Sequence, residues 1–239
     1  MTMMLRRLRR LDSDGLRTRV NGTEVVCDPA GVLFLPDTRT LIVADLHLEK
    51  GAAFARRGML LPPYDTGMTL ALLKAVIDRF APKTVVCLGD SFHDRRGAEM
   101  MPPLFRQSLT EMMAGREWIW ISGNHDPEPP VSLGGDHAAV WRAGTLTFRH
   151  EPSAAYQAGE VAGHLHPVAR VAGRGRSVRG ACFASDGARM ILPSFGVTTG
   201  GLNVLDRAFS GLLRLEQAMA YVIGTTRVFP IAFNALVRG

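Results

Sequence analysis

The sequence predicts an α/β protein in which two mixed β-sheets pack face to face with helices on the flanks. Three observations predict it. Continuous apolar runs at 41–44, 84–88 and 118–121 have the pattern of strands buried on both faces. Stretches of helical period separate them, the alternation that builds βαβ units and a largely parallel sheet. After residue 145 the helical period fades and short apolar runs recur, as in an antiparallel or mixed second layer.

The elements follow in order. Residues 1–15 read as a basic arm, and 16–239 as one domain, since no linker, repeat or low-complexity tract divides them. Asn21-Gly22 between apolar flanks is a hairpin signal, with β-rich runs at 25–27 and 32–35. A helix is expected from Asp65 or Thr66, where Leu70, Leu73, Ile77 and Phe80 recur at spacings of three or four and Pro82 ends the pattern. A second helix is expected over 102–114, opened by Pro102-Pro103 and closed by Gly115. Further strands are expected at 146–148, 161–162, 190–192 and 201–205. The tail, 212–239, reads as helix then strand.

Composition narrows the function classes. The chain has 239 residues, 46% hydrophobic and 21% charged, which excludes disordered and collagen-like chains. No apolar run reaches the roughly 18 residues that span a bilayer, and no signal peptide is evident, so a cytoplasmic protein without a membrane partner is expected. Three scattered cysteines, Cys27, Cys87 and Cys182, suit a reducing compartment. The net charge of +6 suits an anionic partner.

The histidines carry the chemistry. Of seven, His47, His93, His125, His150 and His166 fall at or just after expected strand ends, with His164 beside the last; His137 lies in an unpatterned loop. In doubly wound sheets, ligands collect beyond those carboxyl ends. The series is Asp45-x-His47, Gly89-Asp90, Gly123-Asn124-His125-Asp126, His150 and Gly163-His164-x-His166. Each piece alone is ordinary turn chemistry; in this order and context they reinforce one another. Carboxylate, amide oxygen and imidazole without thiolate suit Mn²⁺, Fe²⁺ or Zn²⁺ in a catalytic rather than a structural site. Seven ligands exceed one ion's needs, so two ions sharing a carboxylate are expected.

This motif series resembles that of the calcineurin-like metallophosphoesterases. The resemblance implies that Asp45, His47, Asp90 and His166 hold one metal, and that Asp90, Asn124, His150 and His164 hold a second, with Asp90 bridging. It implies that His125 faces the substrate phosphate and is oriented by Asp126. The strings at 43–51, 61–66, 88–94, 163–167 and 192–202 further resemble the bacterial DNA-ligase-associated DNA-damage-response endonucleases. That branch implies manganese, DNA as substrate, and association with an ATP-dependent DNA ligase, a helicase and a nuclease.

Other residues read less sharply. His93 and Asp94 fit substrate contact, support of a metal histidine, or loop capping. Arg170 and Arg174 belong to a Gly/Arg-rich stretch that reads as a mobile basic flap tracking a nucleic-acid backbone. The paired methionines at 100–101 and 112–113 read as core or interface filler. Two other functions remain open at this level: hydrolysis of a small nucleotide, pyrophosphate or lipid-sugar nucleotide, and a non-catalytic module docking on a ligase or helicase. Oligomeric state is not legible.

Overall fold

The apolar runs become strands in a computed structural model that describes residues 15–56, 58, 65–128, 130–173 and 175–238. Apart from Gly15, the basic arm lies outside them. Strands β1 (Leu16–Val20) and β2 (Thr23–Cys27) form the expected hairpin. Asn21 and Gly22 turn it with φ of 48° and 83°, the positive pair that a tight hairpin turn of this twist requires. β3 (Leu33–Leu35) and β4 (Thr40–Val43) continue antiparallel. β5 (Thr84–Cys87), β6 (Glu117–Ile121) and β7 (Asp136–Ala138) then add in parallel, completing a sheet in the order β1-β2-β3-β4-β5-β6-β7.

The crossovers carry helices α1 (Lys50–Arg56), α2 (Asp65–Phe80), α3 (Gly97–Met100) and α4 (Pro103–Met113). α2 and α4 match the expected helices. Pro103 opens α4 where its missing N–H costs nothing. The sequence pattern did not reveal α1 and α3, whose seven and four residues are too few to establish a helical period.

The second sheet comprises β8 (Val140–Ala143), β9 (Leu146–Arg149), β10 (Glu160–Ala162), β11 (Pro167–Gly173), β12 (Arg176–Ser185), β13 (Met190–Ile191), β14 (Leu202–Asn203), β15 (Met219–Ile223) and β16 (Val228–Ala232). Its main path runs β14-β11-β12-β13-β10-β9-β8, with β15 on β12 and β16 on β15.

Alternation along the central strands explains why their apolar runs are unbroken. Ile42, Val86 and Ile119 face the second sheet and pack with Phe148, Val161 and Phe183. Their neighbours Leu41, Val43, Val85, Trp118 and Trp120 face the other way, against Leu73 and Ile77 of α2 and Leu109 and Met112 of α4. A third cluster covers the far side of the second sheet, where Phe209, Leu212 and Phe233 cap Ala184 and Ile191. Of the paired methionines, Met101, Met112 and Met113 are core, while Met100 is exposed.

Three expectations need correction. The tail is not helix then strand: its described residues form the β15–β16 hairpin and a short 3-10 turn at Phe233–Ala235. The Gly/Arg stretch is a regular antiparallel ribbon, with Arg170 opposite Arg179 and Gly173 opposite Arg176. Glycine there permits the bend between β11 and β12, and ladder hydrogen bonds hold the rest. His137 lies on β7 with its Nε2 3.0 Å from the Ser122 hydroxyl.

One buried polar network ties the second sheet to the loop after β9. Arg189 and Glu160 are both fully buried and paired. Arg189 also donates to the carbonyls of Leu212 at 3.0 Å and Ser153 at 2.6 Å. The Glu160 carboxylate accepts from the Ser153 backbone N–H at 3.1 Å and lies 3.6 Å from Arg149. Removing Arg189 leaves the buried Glu160 carboxylate with only the more distant Arg149 as a cation and strands the carbonyls of Leu212 and Ser153. Arg189→Ala is therefore expected to lower the unfolding free energy by about 3–5 kcal/mol, measured by urea denaturation followed by circular dichroism.

Candidate metal centre

The carboxyl ends of β4, β5 and β6 meet those of β9 and β10 along one seam between the sheets. Each of these strands delivers polar residues into that seam. β4 delivers Asp45 and His47, β5 delivers Asp90, and β6 delivers Asn124 and His125. β9 delivers His150, and β10 delivers His164 and His166.

The loops after β4 and β5 keep running side by side beyond their strands. His47 N–H donates to Asp90 O at 2.9 Å, Leu48 N–H to Ser91 O at 2.9 Å, and His93 N–H to Leu48 O at 2.9 Å. Leu46 and Leu48 turn into the helix-side core while Asp45 and His47 face the seam. The turn geometry is costly. Asp45, His47, Asp90, His164 and His166 have φ of 55°, 45°, 46°, 68° and 46°, the left-handed region that side chains other than glycine seldom adopt. Strain of this kind persists only where the surroundings over-determine it, and here it coincides with the chemistry-bearing residues.

The glycines of the motifs make room. A Cβ on Gly89 would lie 2.4 Å from the His150 ring, and one on Gly123 would lie 2.3 Å from Asp90 Oδ1. At these positions only hydrogen lets backbone and ligand side chain approach so closely.

Among the described residues three trios could each hold a cation: Asp45, His47 and His166; Asp90, His150 and His164; and His47, Asp90 and His125. Within each, the ligand atoms lie within 4.8 Å of one another. His166 Nε2 is 3.2 Å from Asp45 Oδ1, and His150 Nε2 is 3.4 Å from Asp90 Oδ2 and 2.9 Å from Asn124 Oδ1. His150 Nδ1 is 3.8 Å from Asp45 Oδ1, so the two acidic groups flank one imidazole. The structure thus assembles all seven residues expected as metal ligands. The third trio also brings His125 within ligand range, beyond the substrate-facing role expected for it.

The donor set fits cations by two further observations. His150 Nδ1 donates to the carbonyl of Leu88 at 3.0 Å, which directs Nε2 into the seam, as a metal-binding histidine requires. His47 Nδ1 and His166 Nε2 are buried without a hydrogen-bond partner, and Asp126 Oδ1 shares that condition nearby. Buried polar atoms are normally satisfied, so orphans converging on one seam point to a missing electropositive partner.

The charges adjust to this crowding. Burial opposes the His150 cation, but its bond to Asp90 and the charges of Asp45 and Asp90 outweigh burial and push it up to about 9. Burial likewise opposes the Asp90 carboxylate, but His150 and the His125 N–H hold it down to about 2. His47 is depressed to about 4 by burial. His164 is lowered by burial and by the neighbouring His150. Asp126 rises to about 7 through burial, partly offset by the Phe92 N–H.

The role expected for Asp126 needs correction. Its carboxylate accepts the Phe92 N–H at 3.0 Å, while His125 Nδ1 lies 3.0 Å from the carbonyl of His93. The backbone of His93, rather than a carboxylate, sets the His125 ring. The His93 ring also stacks on His125 at 5.1 Å and 22°, and Phe54 of α1 lies 5.3 Å from the His93 ring. His93 therefore belongs to the site. Asp94 is turned to the Arg96 N–H at 3.1 Å and lines a cavity beside α3. Arg170 stands on β11, four residues beyond His166 and outside the trios; Arg174 lies outside the described residues.

Sequence reasoning missed the buttress beneath Asp45. The Ser194 hydroxyl and Gly196 N–H donate to the Asp45 carbonyl at 2.9 and 3.1 Å, and Phe195 N–H donates to Ala44 O at 2.8 Å. The string at 192–202 was legible as a family signature, but its packing against the first motif was not.

A two-sheet α/β fold with a carboxylate–imidazole seam at its strand ends defines a metallophosphoesterase. The calcineurin-like phosphoesterase family pattern matches residues 38–186, and the chain belongs to that family. It is a metal-dependent phosphoesterase. The crystal structure of Pseudomonas putida nuclease MPE is similar to it, with a TM-score of 0.68 and 26% identity, over 91% of this chain and 100% of that one. No curated protein matches the chain. Among the described residues no helix is long and apolar enough to cross a membrane.

A pH dependence follows for the metal-free protein. A histidine raised to about 9 adds stability that is complete below its ordinary 6.5 and is lost as pH climbs through 9. Asp90, held at about 2, contributes fully above 3.8 and loses this only near pH 2. Between about pH 4 and 7, His47 gains stability with rising pH while Asp126 loses it, so the two offset. The melting temperature of chelator-treated protein is therefore expected to fall from pH 7 to pH 9, and His150→Asn to flatten that decline. Thermal scans across that range test it.

Proposed function

We propose that the protein is a dinuclear phosphodiesterase that cuts DNA in a repair context, with manganese as the preferred ion. The observation that carries the reading is the pair of acidic and imidazole trios joined through Asp90 and His47. Asp45, His47, Asp90 and His166 form the first metal site. Asp90, Asn124, His150 and His164 form the second, with Asp90 shared. Oxygen and imidazole ligands suit Mn²⁺, Fe²⁺ and Zn²⁺ alike; the preference for manganese rests on the family-level strings. DNA as substrate is supported by the likeness to a structure named a nuclease and by the arginine-bearing β11–β12 ribbon beside the seam. The ribbon's Arg170 tracks the phosphate backbone. A cytoplasmic setting and a functional link to an ATP-dependent DNA ligase, a helicase and a nuclease rest on the family-level strings.

When bound, two divalent ions supply Lewis-acid polarisation of phosphoryl oxygens and lower the pKa of water toward neutrality. The chain's own residues do the rest. His125 donates its Nδ1 proton to the His93 carbonyl, so Nε2 faces the seam 3.9 Å from Asp90 Oδ2. That nitrogen is placed to donate a proton to the leaving oxygen as water forms the new P–O bond and the old one breaks. The His93–Phe54 stack holds the ring at that angle. Burial of Asp45 and Asp90 keeps bulk water from competing for their oxygens.

Two outcomes are expected. Asp90→Asn should lose both ions, read by metal analysis of the purified protein, and all nicking of supercoiled plasmid in manganese. His125→Ala should keep both ions and lower kcat about 10²–10⁴-fold, measured with plasmid and with bis-p-nitrophenyl phosphate. Hydrolysis of the small diester without plasmid nicking by the wild type would move the substrate to a small nucleotide or pyrophosphate.

A further inference from the structure

A cavity of about 360 Å³ lies at the edge of the second sheet, outside the metal centre, lined by Asn203, Leu205, Asp206, Arg207, Ser210 and Arg238. Its place relative to the seam is set by strand register. β14 pairs in parallel with β11, which begins directly after His166, so Asn203 stands beside Val168. Val237 bonds to the Arg170 carbonyl, four residues of strand beyond His166, so Arg238 stands about 13 Å beyond the level of His166. The cavity thus lies farther along than a single nucleotide seated in the seam extends.

The two arginines on its rim are displayed by backbone that is itself pinned. Val237 donates its N–H to the Arg170 carbonyl at 2.9 Å and accepts from Asn203 Nδ2 at 3.2 Å. The segment before Arg238 is therefore fastened from both sides. Across the cavity, Arg207 opens the 3-10 turn that Asp206 caps, its carboxylate accepting the Ala208 N–H at 2.9 Å. Among the described residues neither Arg207 nor Arg238 forms an ion pair. On the neighbouring ribbon Arg170 stands opposite Arg179, which donates to the Gly201 carbonyl at 2.7 Å.

The geometry points to a distal phosphate subsite: Arg207 and Arg238, with the Ser210 hydroxyl, grip a backbone phosphate of a nucleic-acid strand well away from the scissile bond. Guanidinium groups facing one cavity suit a phosphate diester, which accepts two parallel hydrogen bonds from each fork. Contacts of this kind set register and affinity without reading sequence. The inference rests on the phosphodiesterase reading above and deepens it, because a small nucleotide in the seam would not extend to this cavity.

The test compares wild type with Arg207→Gln/Arg238→Gln on a single-stranded DNA oligonucleotide and on bis-p-nitrophenyl phosphate, in manganese and over a range of salt. Both changes are on the surface, and matched melting temperatures check the fold. For the oligonucleotide, KM should rise about tenfold, and the slope of log KM against log salt should shrink by about 0.7, one phosphate contact on a single strand. The small diester, which ends short of the cavity, reads the metal centre alone. If the wild type cleaves DNA and the double variant does so with the same KM and salt slope, the subsite is wrong while the DNA reading stands. If the wild type hydrolyses only the small diester, the DNA reading and the subsite fall together. Equal loss on both substrates would also overturn the subsite, since its effect must be confined to the longer chain.

Discussion

Two carboxylates in an apolar seam are the constraint on which the rest of the structure depends. Asp45 is fully buried and Asp90 nearly so, and a buried anion is tolerated only when paired. The histidines of four loops answer that requirement. His150 stands between the two acids, near enough to both to retain its proton far above the usual imidazole range. A divalent cation satisfies the same demand better. It can take the lone pairs that His47 Nδ1 and His166 Nε2 present to no hydrogen-bond partner. Metal uptake and folding thus meet at one place, as expected where ligands must lose protons to bind.

Holding those acids in place takes strain and support together. The loops after β4, β5 and β10 turn through left-handed backbone at the ligand residues themselves. The cross-loop bonds between 47–48 and 90–91, and the 194–196 segment beneath Asp45, over-determine that geometry. The Arg189–Glu160 pair does comparable work for the loop that follows His150, through Ser153. Apolar cores on both faces of the first sheet keep the strand ends level, so ligands far apart in sequence arrive at one depth.

Much of this was legible in the linear chain. Unbroken apolar runs read as doubly buried strands because alternation along them feeds two cores at once. The Asp, Asn and His residues read as ligands because each falls where such a strand ends. The hairpin at Asn21-Gly22 and the helices near Asp65 and Pro103 follow from local turn and capping chemistry, which a short window of sequence contains. Short elements were not legible: α1, α3 and β7 have too few residues for a period to emerge. The tail was misread because its β15–β16 pairing depends on β12, some forty residues earlier, rather than on its own pattern.

The sequence by itself determined the ligand types, their order and the strands that carry them, because these are matters of side-chain chemistry and local periodicity. Only the tertiary structure decided which atoms face one another. Whether a carbonyl or a carboxylate orients His125, whether a glycine-rich stretch swings freely or pairs as a ribbon, and which arginines share a cavity are questions of through-space distance. Residues such as Arg170 and Val237 become neighbours only when sheet register brings their backbones together, and no local pattern in the chain encodes that register.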